Sequence, residues 1–127
     1  MSLSNTYETH VLNYVFKTTS LSRPTAWYLA LYTGAPSDAG GGTEVSGNGY
    51  VRRTAAWSVS GNTATNSGAI EYPACTGSAW GTVTHIGVHT ASSGGDLIVH
   101  SSLTTSKAVA VGDVLRVNAG EIDITLD

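Results

Sequence analysis

The chain has 127 residues and a mass of 13.1 kDa, room for one domain at the usual ~100–150 residues each. Charged residues make up only 12% and the net charge is −3, with six Lys plus Arg, which argues against binding to nucleic acid or an anionic membrane surface, where cations supply most of the affinity. Seventeen Thr, fifteen Ser and fifteen Gly favour strands and turns over helices, and a lone Cys75 rules out an internal disulfide.

The N-terminal stretch MSLSNTYETHVLNYVF has neither the basic nor the long apolar region of a signal peptide. No apolar run reaches the ~18 residues of a membrane-spanning helix. Synthesis in a cytoplasm as a soluble protein is the expectation. Residues 5–17 predict a helix, with Tyr7, Val11, Tyr14 and Val15 at i, i+4, i+7 and i+8 and with Asn5 and Glu8 spaced as a capping box. It ends before Ser22-Arg23-Pro24, because the residue ahead of a proline is pushed towards extended geometry.

Beyond this point the apolar period becomes two. In Ala26–Thr33 the side chains of Trp27, Leu29 and Leu31 share one face and Tyr28 and Tyr32 the other. Gly34–Gly49 is a glycine-rich loop, longer than the ~12 residues a compact domain usually tolerates without a function for them. Tyr50–Ser60 reads as a strand, Gly61-Asn62 as a tight hairpin turn, and the returning strand runs through Ala69–Tyr72 to Pro73. Trp80–Thr90 is one long strand, or two with a bulge at a glycine. A turn at Ser92–Asp96 leads into Leu97–Leu103. Ala108–Val111, Val114–Val117 and Glu121–Asp127 complete the series, with Ile122, Ile124 and Leu126 on one face of the last strand. Turn signals every ~8–12 residues predict an all-β fold, a single antiparallel β-sandwich of jelly-roll type with about eight strands. Residues 1–20 form the helix and linker of this one domain, and residues 21–127 the sandwich.

Chemistry is sparse. His85 and His89 lie four extended residues apart, roughly 13 Å, too far to share a metal. His100 falls opposite one of them if the flanking strands form a hairpin. Cys75 has no neighbouring base to make it a thiolate. Gly42–Asn48 has the glycine spacing of a phosphate loop but Asn48 where a lysine is needed, and Glu44 repels phosphate. Catalytic, cofactor and metal sites are therefore expected to be absent. Trp27, Trp57 and Trp80 all fall on the apolar phase of their strands and read as core.

Longer motifs carry a resemblance. Thr43-Glu44-Val45-Ser46-Gly47-Asn48-Gly49-Tyr50-Val51-Arg52, then Trp80 with Gly81–Val88, then Leu103–Val109 with Val111-Gly112-Asp113, and Asn118-Ala119-Gly120-Glu121-Ile122 follow in order the pattern of small tailed-bacteriophage virion proteins often labelled tail fibre proteins. The chain resembles that family over nearly its whole length. The resemblance implies a non-enzymatic structural protein of the virion, on tail, baseplate, neck or capsid, made in the host bacterial cytoplasm. It would assemble with itself, a trimer or hexamer being the expected closed form, and with other virion proteins. The expected contact residues are Tyr7, Val11 and Tyr14 on the helix, Tyr28 and Tyr32 on a sheet face, and Glu44, Tyr50 and Arg52 at the loop. Physically, Gly47 and Gly49 allow positive φ where the loop re-enters the sheet, Tyr50 anchors it, and Arg52 binds loop carbonyls or Glu44. The competing expectation is a carbohydrate-binding module that contacts a host glycan through exposed Tyr28, Tyr32 or Tyr50.

Overall fold

The computed structural model describes residues 1–126, so the Asp127 end of the last expected strand lies outside the described residues. The helical signal folds as α1 (Asn5–Phe16), preceded by β1 (Ser2–Leu3). The cap is Ser4 rather than Asn5: its Oγ accepts from the Tyr7 backbone N–H at 3.3 Å while its hydroxyl donates to the Leu97 carbonyl. One serine thus caps the helix and ties it to the body, a double role that spacing alone does not reveal.

Among the described residues eleven strands form rather than about eight, because several short pieces pair only through long-range contacts. β2 (Tyr28–Gly34), β8 (Gly81–His89) and β9 (Leu97–Val109) make the centre of a six-stranded antiparallel sheet. Its order is β1-β9-β8-β2-β3, with β3 (Thr43–Glu44) and β4 (Arg53–Thr54) both on the far edge of β2. The Gly61-Asn62 hairpin joins β5 (Trp57–Ser60) to β6 (Thr63–Asn66), and β11 (Asp123–Thr125) completes that three-stranded sheet. β7 (Ile70–Glu71) pairs instead with β10 (Arg116–Val117), so the returning strand splits in two between sheets.

Leu29 faces Val88, which in turn faces Val99, and Leu31 faces Ile86. This apolar phase of the large sheet packs with Ile70, Tyr72, Val83 and Ile122 into one core, against which Trp57, Val117 and Ile124 lean from the smaller sheets. The result is an all-β sandwich with one N-terminal helix. Trp80 is buried in this core and Trp27 and Trp57 are half-buried against it.

β8 is a single strand, and its irregularities do not fall at its glycines. The extra residues belong to β9: Leu103–Ser106 bulge out between the pairs His85–Ser102 and Val83–Lys107, and Ile98 between Val88–Val99 and His89–Leu97. β9 runs six residues beyond its expected end at Leu103. His100 faces Gly87, not His85 or His89.

Asn66 is a polar residue at the heart of the fold, 1% exposed. Its amide donates to the carbonyls of Gly68 and Asn118 at 3.0 and 2.9 Å, and its Oδ1 accepts from the Ile122 N–H at 2.8 Å. It staples the end of β6 to the turn that follows it and to the 118–122 segment that leads into β11, and every side-chain group it brings inside is paired.

Candidate functional site

The long loop folds back because β3 pairs with β2, opposing Glu44 to Tyr32, and because Gly47, Asn48 and Gly49 all take positive φ. At Gly49 a Cβ would meet the Ala74 carbonyl oxygen at 2.8 Å, so only glycine fits there. This geometry delivers Glu44, Tyr50 and Arg52 to one point. Arg52 grips the Glu44 carboxylate through Nε (2.9 Å) and Nη2 (2.8 Å), and its Nη1 donates to the carbonyls of Ala91 and Gly94 at 2.9 and 2.8 Å. The Tyr50 hydroxyl donates to Glu44 at 2.6 Å and accepts from the Leu31 N–H at 3.1 Å. Burial alone would raise the Glu44 carboxyl, but the hydrogen bonds from Arg52 and Tyr50 outweigh it and hold the group below the ordinary carboxylate range. Burial, reinforced by the Glu44 hydrogen bond, pushes the Tyr50 phenol far up, so it stays a protonated donor. The cluster clamps the Gly34–Gly49 loop and the Ala91–Gly94 turn to the sheet, and both of its charges are consumed inside it.

The opposite phase of the large sheet carries a second polar pair. Tyr32 is buried and its hydroxyl lies 2.6 Å from His89 Nε2. The ring reaches there because Gly87 lies beneath it: a Cβ at that position would come within 3.0 Å of Tyr32 Cε2. His89 is 7% exposed, and its other nitrogen, Nδ1, is buried without a hydrogen-bond partner, so protonation would strand an N–H. Burial first, and then the nearby Arg52 charge, lower its pKa to about 4. His85 bonds its neighbour Thr84 instead, Cys75 is buried against the Ser78 carbonyl, and among the described residues no three metal-binding side chains converge.

The expected contact residues therefore separate. Glu44, Tyr50 and Arg52 converge but face inward, Tyr32 is buried, and Tyr28 is half-buried. Tyr32 and Tyr50 thus lack the open ring faces that the glycan expectation required. On α1, Tyr7 is half-buried while Val11 and Tyr14 are exposed.

The orientation of α1 is inverted relative to an ordinary surface helix. Its half-buried residues are Tyr7, His10 and Asn13, spaced i, i+3, i+6, and none of its residues is fully buried. Val11, Leu12, Val15 and Phe16 point away from the body, with Leu12 57% and Phe16 79% exposed. The helix is held at its start, where Ser4 N–H bonds the Ile98 carbonyl and Asn5 N–H the Asp38 carbonyl, each at 2.8 Å. Asp38 also accepts from Ser2 Oγ at 2.9 Å and pairs with His100 Nε2 at 2.8 Å. Leu12 and Phe16 are not among the expected contact residues of the helix, which follow the Tyr7, Val11, Tyr14 line at i, i+4 and i+7. The available signal was four apolar residues at 11, 12, 15 and 16 beside a polar line at 6, 10, 13 and 17.

The fold is thus a β-sandwich whose polar clusters bind its own loops and whose N-terminal helix carries exposed apolar side chains. A family model described as podophage GP4 fiber I protein gp80 matches residues 2–125, and the chain belongs to that family. It is a phage fibre structural protein and a virion component, in line with the resemblance carried by its motifs. None of the curated protein sequences compared with the chain matches it significantly.

Proposed function

We propose that the chain acts in the fibre through protein–protein contact, forming a homo-oligomer and joining other virion proteins, with the outward stripe of α1 as its assembly surface. The observation that carries this is the inverted helix: polar Tyr7, His10 and Asn13 rest on the body while Val11, Leu12, Val15 and Phe16 face water. With side chains of this size the stripe amounts to about 400 Å² of apolar surface, as large as the largest patch on many monomers and of the kind that marks binding sites. Left uncovered it costs several kcal/mol of forfeited burial. A 12-residue helix with no buried side chain is also marginal on its own, so a partner would order it as well as cover it.

The test is virion incorporation. Phage particles are grown with the wild-type chain or with Leu12→Asp/Phe16→Asp, and the protein content of purified particles is measured by mass spectrometry. The variant should fold and yet be lost from particles. Incorporation at the wild-type copy number would refute the role given to α1.

A further inference from the structure

β1 and α1 form an arm that docks on the body at a few defined points. Leu3 faces Val99 on the edge of β9 and packs against the core. The Ser2 hydroxyl donates to Asp38, Ser4 donates to the Leu97 and Ile98 carbonyls, and the Asn5 N–H donates to the Asp38 carbonyl. Beyond its first turn the arm leaves the body. Of the strands, α1 touches only β1 and β9, and every residue from Tyr14 to Ser20 is exposed. Residues 18–26, which lead back to β2, belong to no helix or strand and make no backbone hydrogen bond among the described residues. The arm is therefore fixed at residues 2–5 and joined to the sandwich by a tether that extends to roughly 30 Å.

We propose that copies of the chain exchange these arms, β1 and α1 of one copy docking on the β9 edge of the next in the seat that the arm occupies on its own body. The inference rests on the reading of α1 as an assembly surface and names its partner, a second copy, and the place where it binds. The seat fits its occupant because the structure shows the two together: each contact of Ser2, Leu3, Ser4 and Asn5 is remade unchanged on the neighbouring body, so exchange adds no cost there. The tether and the apolar stripe decide between the two arrangements. A flexible tether holds the arm near its own seat at an effective concentration of about 1 mM, so at about 100 µM chain the unexchanged form is favoured about tenfold. Burial of about 55 Å² of apolar surface offsets a factor of ten. Exchange draws two bodies together at the tether, beside Val15 and Phe16, and covering about 100 Å² of the stripe there already reverses the preference. Arm and seat are unlike surfaces, so each copy gives one arm and receives one, and the assembly closes when the last arm reaches the first body.

The test uses full-length chains in assembled particles. Leu3→Cys/Val99→Cys places thiols on facing residues of an antiparallel pair, whose Cα atoms lie about 4.5–5.5 Å apart, within the range of a disulfide. The native Cys75 is buried, which keeps the background low. Particles grown with this chain are purified, oxidised, unfolded and run on a non-reducing gel. Exchange predicts covalent multiples of the 13.1 kDa chain that a reductant collapses to one band. A 13.1 kDa band in which both engineered thiols are blocked to alkylation is a disulfide within one chain and would overturn the exchange. Ser2→Cys/Asp38→Cys, at side chains that meet at 2.9 Å on the surface, repeats the experiment without touching the core and has the same two outcomes. If disulfides form within single chains while Leu12→Asp/Phe16→Asp is still lost from particles, exchange fails and the assembly role of α1 stands. If Leu12→Asp/Phe16→Asp is incorporated at the wild-type copy number, the assembly reading fails and the exchange with it.

Discussion

Arg52→Met should be the most damaging single change at the loop. The methionine keeps the stem but removes four hydrogen bonds, two to Glu44 and two to the carbonyls of Ala91 and Gly94. Removing one partner of a buried pair costs about 3–5 kcal/mol, because the other charge is left uncompensated. The Arg52 side chain is 10% exposed and that of Glu44 25%, so water relieves part of the penalty and about 2–4 kcal/mol remains. Glu44→Gln keeps an acceptor for Tyr50 and should cost about 1–2 kcal/mol. The double variant should lose less than the two single losses combined, by a coupling of about 1–2 kcal/mol. Urea unfolding followed by tryptophan fluorescence reads all four chains. The Glu44 carboxyl lies below its unfolded value, so its stabilisation is complete above the ordinary carboxylate pKa of about 4.3 and fades as pH falls through the folded value. The gap between wild type and Glu44→Gln should therefore close in acid. Single variants that both lie within about 0.5 kcal/mol of wild type would show an exposed pair and refute the clamp.

His89 resists protonation down to about pH 4 while an unfolded histidine titrates near 6.5. Stability should be full above pH 6.5 and fall by up to about 3 kcal/mol as pH drops towards 4. His89→Gln should flatten that slope in urea titrations at pH 7.5 and 5. Gly87→Ala would bring a Cβ within 2.9 Å of Leu97 Cδ1 and 3.0 Å of Tyr32 Cε2, and should lower stability by about 1–3 kcal/mol, read as a thermal-melting shift. Asn66→Ala leaves two carbonyls and one N–H without their buried partner and should cost about 2–4 kcal/mol in the same urea assay. Leu12→Asp/Phe16→Asp changes only exposed side chains and should leave the monomer's unfolding free energy in urea within about 0.5 kcal/mol of wild type.

The helix span, the alternation in β2 and β8, the Gly61-Asn62 hairpin and the contact of Arg52 with Glu44 are legible in the sequence because each rests on local spacing or a short loop. The two-residue strand β3 inside the long loop is not, nor are the partners of β4 and β7, since such pairing is decided by what lies across the sheet. The reach of Tyr32 over Gly87 to His89 links residues 57 apart in the chain, and the Asn66 staple on Asn118 links residues 52 apart. Neither leaves a periodic trace. The side of α1 that rests on the body is not legible for a different reason. Apolar spacing locates a stripe on a helix but not which side the body takes, and here Ser4 and Asp38 pin the first turn so that the polar line lies inward.

The most direct test of the assembly surface is amide hydrogen exchange over residues 11–16, compared between the purified chain held dilute enough to be monomeric and the same chain in intact virions. In the free monomer this stretch lacks buried side chains and should exchange within seconds to minutes, as frayed helices do. In the virion its exchange should slow by at least about a hundredfold, while core strands β2 and β8 stay protected in both. Equal exchange at Val11–Phe16 in the two states would contradict the account.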